Sequence, residues 1–140
     1  MKKVAIVYWS GTGNTEKMAF EIEAGAKKNG AEVNIFTSDE FSVEMLDGFD
    51  AIAFGCPAMG MEVLEESSFE PMFERIEKKL MGKNILLFGS YGWGDGQWMR
   101  DWEERCKEAG AQLLCESLIV NDAPDEDAVK QCKCLGEILA

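Results

Sequence analysis

The sequence predicts an α/β fold, a doubly wound five-stranded parallel sheet with helices on both faces. Three observations predict it. Short apolar runs alternate with helically spaced apolar residues from one end of the chain to the other, and repeated strand-helix units imply a parallel sheet with right-handed crossovers. The 140 residues suit one domain spanning 1–140. With 46% hydrophobic and 29% charged residues the chain holds enough apolar surface to offset the entropy of ordering, and no linker, repeat or low-complexity segment interrupts the pattern.

Val4 to Tyr8, ending at Trp9-Ser10-Gly11, reads as a strand buried on both faces, because a central parallel strand is apolar throughout rather than alternating. A helix follows it. Asn14 and Thr15 offer caps, Met18, Ala19, Ile22 and Ala26 repeat at helical spacing, and Gly30 supplies the stop. Val33 to Phe36 is a second, shorter strand, and after a polar stretch from Thr37 to Asp50 the third is Ala51-Ile52-Ala53-Phe54-Gly55. The next helix has Pro71 near its start, the stripe Met72, Phe73, Ile76 and Leu80, and the stop Gly82. Asn84 to Gly89 is the fourth strand, leading through a glycine-rich loop into a helix with Trp98, Met99, Trp102, Cys106 and Ala109 that stops at Gly110. Leu113 to Val120 reads as an uninterrupted fifth strand, and Glu116 within it marks a less buried position at the sheet edge. Pro124 and Asp125 open the last helix, with Val129, Cys132, Leu135 and Leu139 on one face.

Absences narrow the chemistry. The chain has no histidine, which removes Ser/His/Asp and Cys/His triads and imidazole-ligated zinc. Its 14 Lys and Arg stand against 26 Asp and Glu, a formal net charge of −12. Nucleic acid and anionic membrane surfaces are therefore not expected as partners, since both demand a basic face, and a basic partner is expected instead. The apolar stretch after Met1-Lys2-Lys3 is too short for a signal peptide, which points to a cytoplasmic protein. Five cysteines, Cys56, Cys106, Cys115, Cys132 and Cys134, form no C-x-x-C pair and are expected as reduced, mostly buried thiols.

Ligands of open α/β sheets bind beyond the carboxyl ends of the strands, where the strand order reverses. The loops after strands one, three and four carry the informative residues. They read Trp9-Ser10-Gly11-Thr12-Gly13-Asn14-Thr15, then Cys56-Pro57-Ala58-Met59-Gly60-Met61-Glu62, and Ser90-Tyr91-Gly92-Trp93-Gly94-Asp95. The first combines two glycines with hydroxyl and amide side chains and runs straight into a helix N-terminus, a ready anion site. Neither common nucleotide motif fits it. There is no Gly-x4-Gly-Lys-Ser/Thr, and a dinucleotide fingerprint would need glycine where Glu16 stands.

Ser10-Gly11-Thr12-Gly13-Asn14-Thr15 after a first strand resembles the FMN phosphate loop of flavodoxins, and the loops at Pro57-Ala58-Met59-Gly60 and Gly89 to Asp95 resemble the flavin loops of that family's short-chain group. The likeness covers essentially the whole chain. It implies the strand order 2-1-3-4-5 with FMN at the switch between strands one and three; the order is taken from the family. It also implies a low-potential one-electron carrier, not an enzyme, that holds FMN noncovalently and cycles it through oxidised, semiquinone and hydroquinone states. Redox proteins with basic docking faces are the implied partners, and a monomer is expected.

The resemblance distributes roles over the loops. Trp93 is placed on the outer flavin face, with Tyr91 as the alternative, and Met59 on the inner face, where a polarizable thioether packs well. Trp9 lines the ribityl and phosphate region, and Trp98 and Trp102 belong to the core. In a type II′ turn Met59-Gly60-Met61-Glu62, glycine at the second position allows a peptide flip that turns the Gly60 carbonyl toward flavin N5 on one-electron reduction. A bond made only in reduced states and worth ~1 kcal/mol would shift one potential by ~40 to 50 mV. Many relatives have Asp or Asn where this chain has Met61. Glu62 is placed to accept from flavin N3–H, and Asn121 and Asp122 lie near the site, Asp122 matching the family position better.

Charge placement adds a redox expectation. Residues 1–33 hold five Lys and four acids, so the excess lies beyond the first helix, in Glu62 to Glu74, Asp101 to Glu104 and Asp122 to Asp127. One fixed charge ~12 Å from an anionic hydroquinone opposes it by ~1.4 kcal/mol at an effective dielectric of ~20, roughly 60 mV, so several acids would lower the second potential. The alternative reading is a small FMN-dependent NAD(P)H/quinone oxidoreductase on the same fold, which usually requires extra loops. A receiver-type domain would need acids where the chain has Trp9-Ser10-Gly11 and Gly55-Cys56-Pro57.

Overall fold

The computed structural model describes residues 2–140. Its elements are β1 (Lys3–Tyr8), α1 (Asn14–Lys28), β2 (Glu32–Thr37), a 3-10 helix (Val43–Gly48), β3 (Ala51–Gly55), α2 (Phe69–Glu77), β4 (Asn84–Tyr91), α3 (Gln97–Glu108), β5 (Gln112–Leu113), β6 (Leu118–Asn121) and α4 (Glu126–Leu139). The sheet is parallel in the order β2-β1-β3-β4-β5, with β6 also paired to β4. That is the order 2-1-3-4-5 with the last position occupied by two segments.

The central strands are apolar throughout because each side of the sheet is covered. Ala5 and Val7, Ile52 and Phe54, Ile85 and Leu87 point to one layer, shared with α2, α3 and the 3-10 helix. Val4 and Ile6, Ala51 and Ala53, Leu86 and Phe88 point to the other, under α1 and α4. Period-two alternation therefore persists inside an unbroken hydrophobic run. The first layer is dominated by aromatic contacts: Phe54–Phe73, Phe69–Trp102 and Phe73–Trp102 meet edge to face at 5.4–5.6 Å between ring centres, and Phe69 stacks on Phe73 at 6.1 Å. In the second, α1 and α4 cross so closely that a Cβ on Gly25 would stand 2.1 Å from the Lys133 carbonyl oxygen, and one on Gly136 would stand 2.1 Å from that of Ile22.

Two local expectations are corrected, and two others gain detail. The fifth strand is interrupted: β4 advances three residues from Ile85 to Phe88 while its partner advances five, from Leu113 to Leu118, so two extra residues leave the ladder around Glu116. There Ser117 turns its hydroxyl to Glu103 at 2.7 Å, an alternative partner the ladder cannot offer. Neither Asn14 nor Thr15 caps α1; Gly13 is its N-cap, and the Ser10 hydroxyl reaches forward to accept from Gly13 N–H (3.1 Å) and Glu16 N–H (3.2 Å). The stretch Thr37 to Asp50 contains a 3-10 helix that buries Leu46, beside a buried Phe41. Of the five thiols, Cys56, Cys106 and Cys132 are buried, Cys115 is half-buried and Cys134 is exposed, because α4 turns Cys134 away from the sheet. All five are free.

Candidate functional site

The carboxyl ends of β1, β3, β4 and β6 are tied together at one end of the sheet. Trp9 N–H donates to the Gly55 carbonyl (3.0 Å), Ala58 N–H to that of Ser90 (3.0 Å), and Asp122 N–H to that of Tyr91 (2.8 Å). Beyond these bonds the loops open into a cleft of about 230 Å³, lined by Trp9, Gly11, Thr12, Asn14, Pro57, Ala58, Met59, Ser90, Tyr91, Gly92 and Asp122. Every lining residue is one that the sequence singles out. The cleft sits where the strand order reverses, with β1 and β3 side by side.

The first loop is built as an anion cradle. Ser10 and Thr15 face inward: Ser10 holds the loop to α1, and Thr15 is buried with its hydroxyl 2.8 Å from that of Ser90, which links this loop to the end of β4. Among the described residues, the N–H groups of Gly11, Thr12, Asn14 and Thr15 donate to no protein acceptor. They stand at the positive end of a 15-residue helix. Beside them Tyr8 donates to Glu16 Oε2 at 2.9 Å, and burial together with that carboxylate pushes the phenol up to about 12. Glu16 is thereby engaged at the helix start rather than aimed into the loop.

The second loop closes differently from the type II′ turn expected. Met59 and Val63 exchange both backbone hydrogen bonds, at 2.9 and 3.0 Å, so three residues span the turn and not two. Both Gly60 (φ +50°) and Glu62 (φ +56°) take the left-handed conformation that this longer closure requires. Met61 projects from the tip, 88% exposed. The Glu62 side chain folds back beneath the third loop, so close that a Cβ on Gly94 (φ +87°) would lie 2.4 Å from its Oε1. Only glycine satisfies both the conformation and the contact there. Glu62 Oε1 is buried without a hydrogen-bond partner among the described residues.

In the third loop Trp93 is 64% exposed and outside the cleft lining, whereas Tyr91 lines the cleft and packs on Trp98 at 5.6 Å. Asp95 pairs with Arg100 at 3.1 Å, fastening the loop to α3. Asp122 (φ +58°) closes the wall after β6. Glu65 is the residue whose part escapes a reading of sequence alone. Its buried carboxylate accepts from the N–H groups of Ser67 (2.7 Å), Ser68 (2.8 Å) and Phe69 (2.8 Å) and from the Ser67 hydroxyl, closing the start of α2. Among the described residues no group of three or more His, Cys, Asp or Glu could hold a metal ion, and no helix is long and apolar enough to cross a membrane.

Comparison with known proteins agrees with this geometry. The family described as Flavodoxin matches residues 6–134. The chain is 50% identical to the flavodoxin of Clostridium beijerinckii, covering 96% of this chain and 97% of that one. It is likewise 50% identical to the flavodoxin of Megasphaera elsdenii over 98% of each. The solution structure of two-electron reduced Megasphaera elsdenii flavodoxin superposes with a TM-score of 0.90, at 49% identity and 97% coverage of both chains. An archaeal flavodoxin follows the same fold with a TM-score of 0.87 at 27% identity, covering 99% of this chain and 96% of that one. The chain belongs to the flavodoxin family, FMN-carrying proteins that transfer electrons between redox partner proteins rather than transform a substrate.

Proposed function

We propose that residues 1–140 form one domain that holds a single FMN in the cleft between the three loops and serves as a low-potential one-electron carrier. The observation that carries the site assignment is the convergence of the loops after β1, β3 and β4 on one cleft at the reversal of strand order. FMN supplies two successive one-electron steps. The residues fit it. The unpaired N–H groups at the start of α1, with Thr12, Asn14 and the other side chains of Ser10 to Thr15, offer a phosphate the donors it needs without a cationic side chain. Met59 borders the cleft from one side, and the exposed Trp93 is free to cover the ring from outside.

Glu62 Oε1, a buried acceptor lacking a donor, suits the ring N3–H. Gly60 at its exposed turn offers a carbonyl to N5; Pro57, Ala58 and Met61 complete that loop, Ser90, Gly92 and Asp122 form the opposite wall, and Gly94 and Asp95 continue the third loop beyond the lining. Partners with basic docking faces, a monomeric state and a cytoplasmic location belong to the same reading, supported by the net charge of −12. The comparisons favour this carrier over the quinone oxidoreductase.

Titration of FMN-stripped protein tests the assignment. One FMN is expected to bind per chain, with quenched flavin and tryptophan fluorescence, and two separate one-electron potentials. Protein that takes up no FMN, or binds it unaltered by Gly11→Asp in the anion cradle, overturns the site.

A further inference from the structure

The anion cradle at the start of α1 has a competitor within the chain. A helix N-terminus attracts any carboxylate in its first turn, because the field and the free N–H groups that suit a phosphate suit a carboxylate as well. Gly13 is the N-cap of α1, so Glu16 stands at the third helical position. From there a glutamate side chain is long enough to fold back over the start of its helix. Ser10 to Thr15 include no cationic side chain to offset its charge. A Glu16 carboxylate laid over the loop would take the seat of a phosphate and repel it.

The fold places that carboxylate elsewhere. Glu16 Oε2 accepts from the Tyr8 hydroxyl at 2.9 Å, and neither Tyr8 nor Glu16 is among the residues that line the cleft. Tyr8 is the last residue of β1, only 7% exposed, and belongs to the layer beneath α1 and α4. Its ring meets Phe20 edge to face at 6.4 Å. Glu16 and Phe20 lie four residues apart on one face of α1, so the ring packs on one while the hydroxyl reaches the other. Burial, together with Glu16 and Glu40, pushes the phenol up to about 12, which keeps it a donor at neutral pH. Glu40 is itself engaged, its Oε1 accepting from the N–H (2.8 Å) and hydroxyl (3.1 Å) of Thr37.

We propose that Tyr8 is a positioning residue for FMN binding: its hydroxyl holds the Glu16 carboxylate away from the anion cradle and so keeps the N–H groups of the loop for the phosphate. Glu16 retains its favourable place near the positive end of α1, and the ligand retains its donors. This role rests on the proposed seating of the FMN phosphate in the cradle.

FMN binding to the stripped protein, followed by flavin fluorescence, tests the role. Tyr8→Phe keeps the ring and its packing and removes only the donor; it is expected to weaken FMN binding about three- to twentyfold. Adding Glu16→Gln removes the competing charge, and the double variant Tyr8→Phe/Glu16→Gln is expected to bind FMN at least as tightly as the parent. A Tyr8–Glu16 bond that merely braces the fold gives the opposite result, because the double variant still lacks it. Affinity that stays low in the double variant therefore overturns the positioning role, and so does a Tyr8→Phe protein that binds like the parent. Gly11→Asp separates this role from the seating of the phosphate. Binding indifferent to Gly11→Asp removes the cradle and the role of Tyr8 with it, whereas binding that Gly11→Asp weakens and Tyr8→Phe leaves unchanged removes the role of Tyr8 alone.

Discussion

At Gly60 a Cβ atom would meet nothing within 4 Å, yet the residue sits at φ +50°. A methyl group there adds no clash, so Gly60→Ala acts on backbone conformation alone. If the Gly60 carbonyl turns to N5 only after the first electron arrives, the variant should lower the first one-electron potential by about 40 mV, which corresponds to about 1 kcal/mol. Potentiometric titration of both steps measures it, and an unchanged first potential removes the peptide flip. Residues of this kind are legible in a sequence, because glycines and hydroxyls crowded between a strand and a helix have few structural uses. Tyr8 is not. On the page it is one more large residue at the end of an apolar run, and only its neighbours show that its hydroxyl meets Glu16.

Among the elements, α2 depends most visibly on a single side chain. Glu65 reads in sequence as one acid in a series, whereas the folded chain buries its carboxylate against the first N–H groups of the helix. Burial pushes its pKa up, but the hydrogen bonds from Ser67, Phe69 and Ser68 together outweigh it and hold the carboxyl below its ordinary value of 4.5. A carboxyl depressed on folding contributes stability above its unfolded pKa and loses that contribution as pH falls through its folded one. Glu65→Gln should therefore cost about 1–2 kcal/mol at pH 7, and the gap from the parent should narrow below about pH 4. Urea unfolding at a series of pH values checks this, and a gap constant down to pH 3 would count against the capping carboxylate. The strands and helices were readable because their periods are fixed by packing on both faces of the sheet. The break between Leu113 and Leu118 was not, since an apolar run looks the same whether or not its register with β4 slips by two.

For the whole molecule, charge and topology act together. The excess of acids lies entirely beyond residue 33, in the part of the chain that supplies two of the three cleft loops. Exposed charges are screened over about 8–10 Å at 0.10–0.15 M salt, so raising salt from about 20 to 500 mM should raise the second one-electron potential and slow association with a basic partner. Spectroelectrochemistry and stopped-flow mixing measure the two effects; a second potential independent of salt would show that distant acids do not set it. The interrupted edge has a consequence of another sort. A long, flat outer strand offers its free amides and carbonyls as a template for a neighbouring chain, and here that template comes in pieces of two and four residues with a bend between them. A neighbouring chain therefore finds no continuous strand to pair with along this side of the sheet.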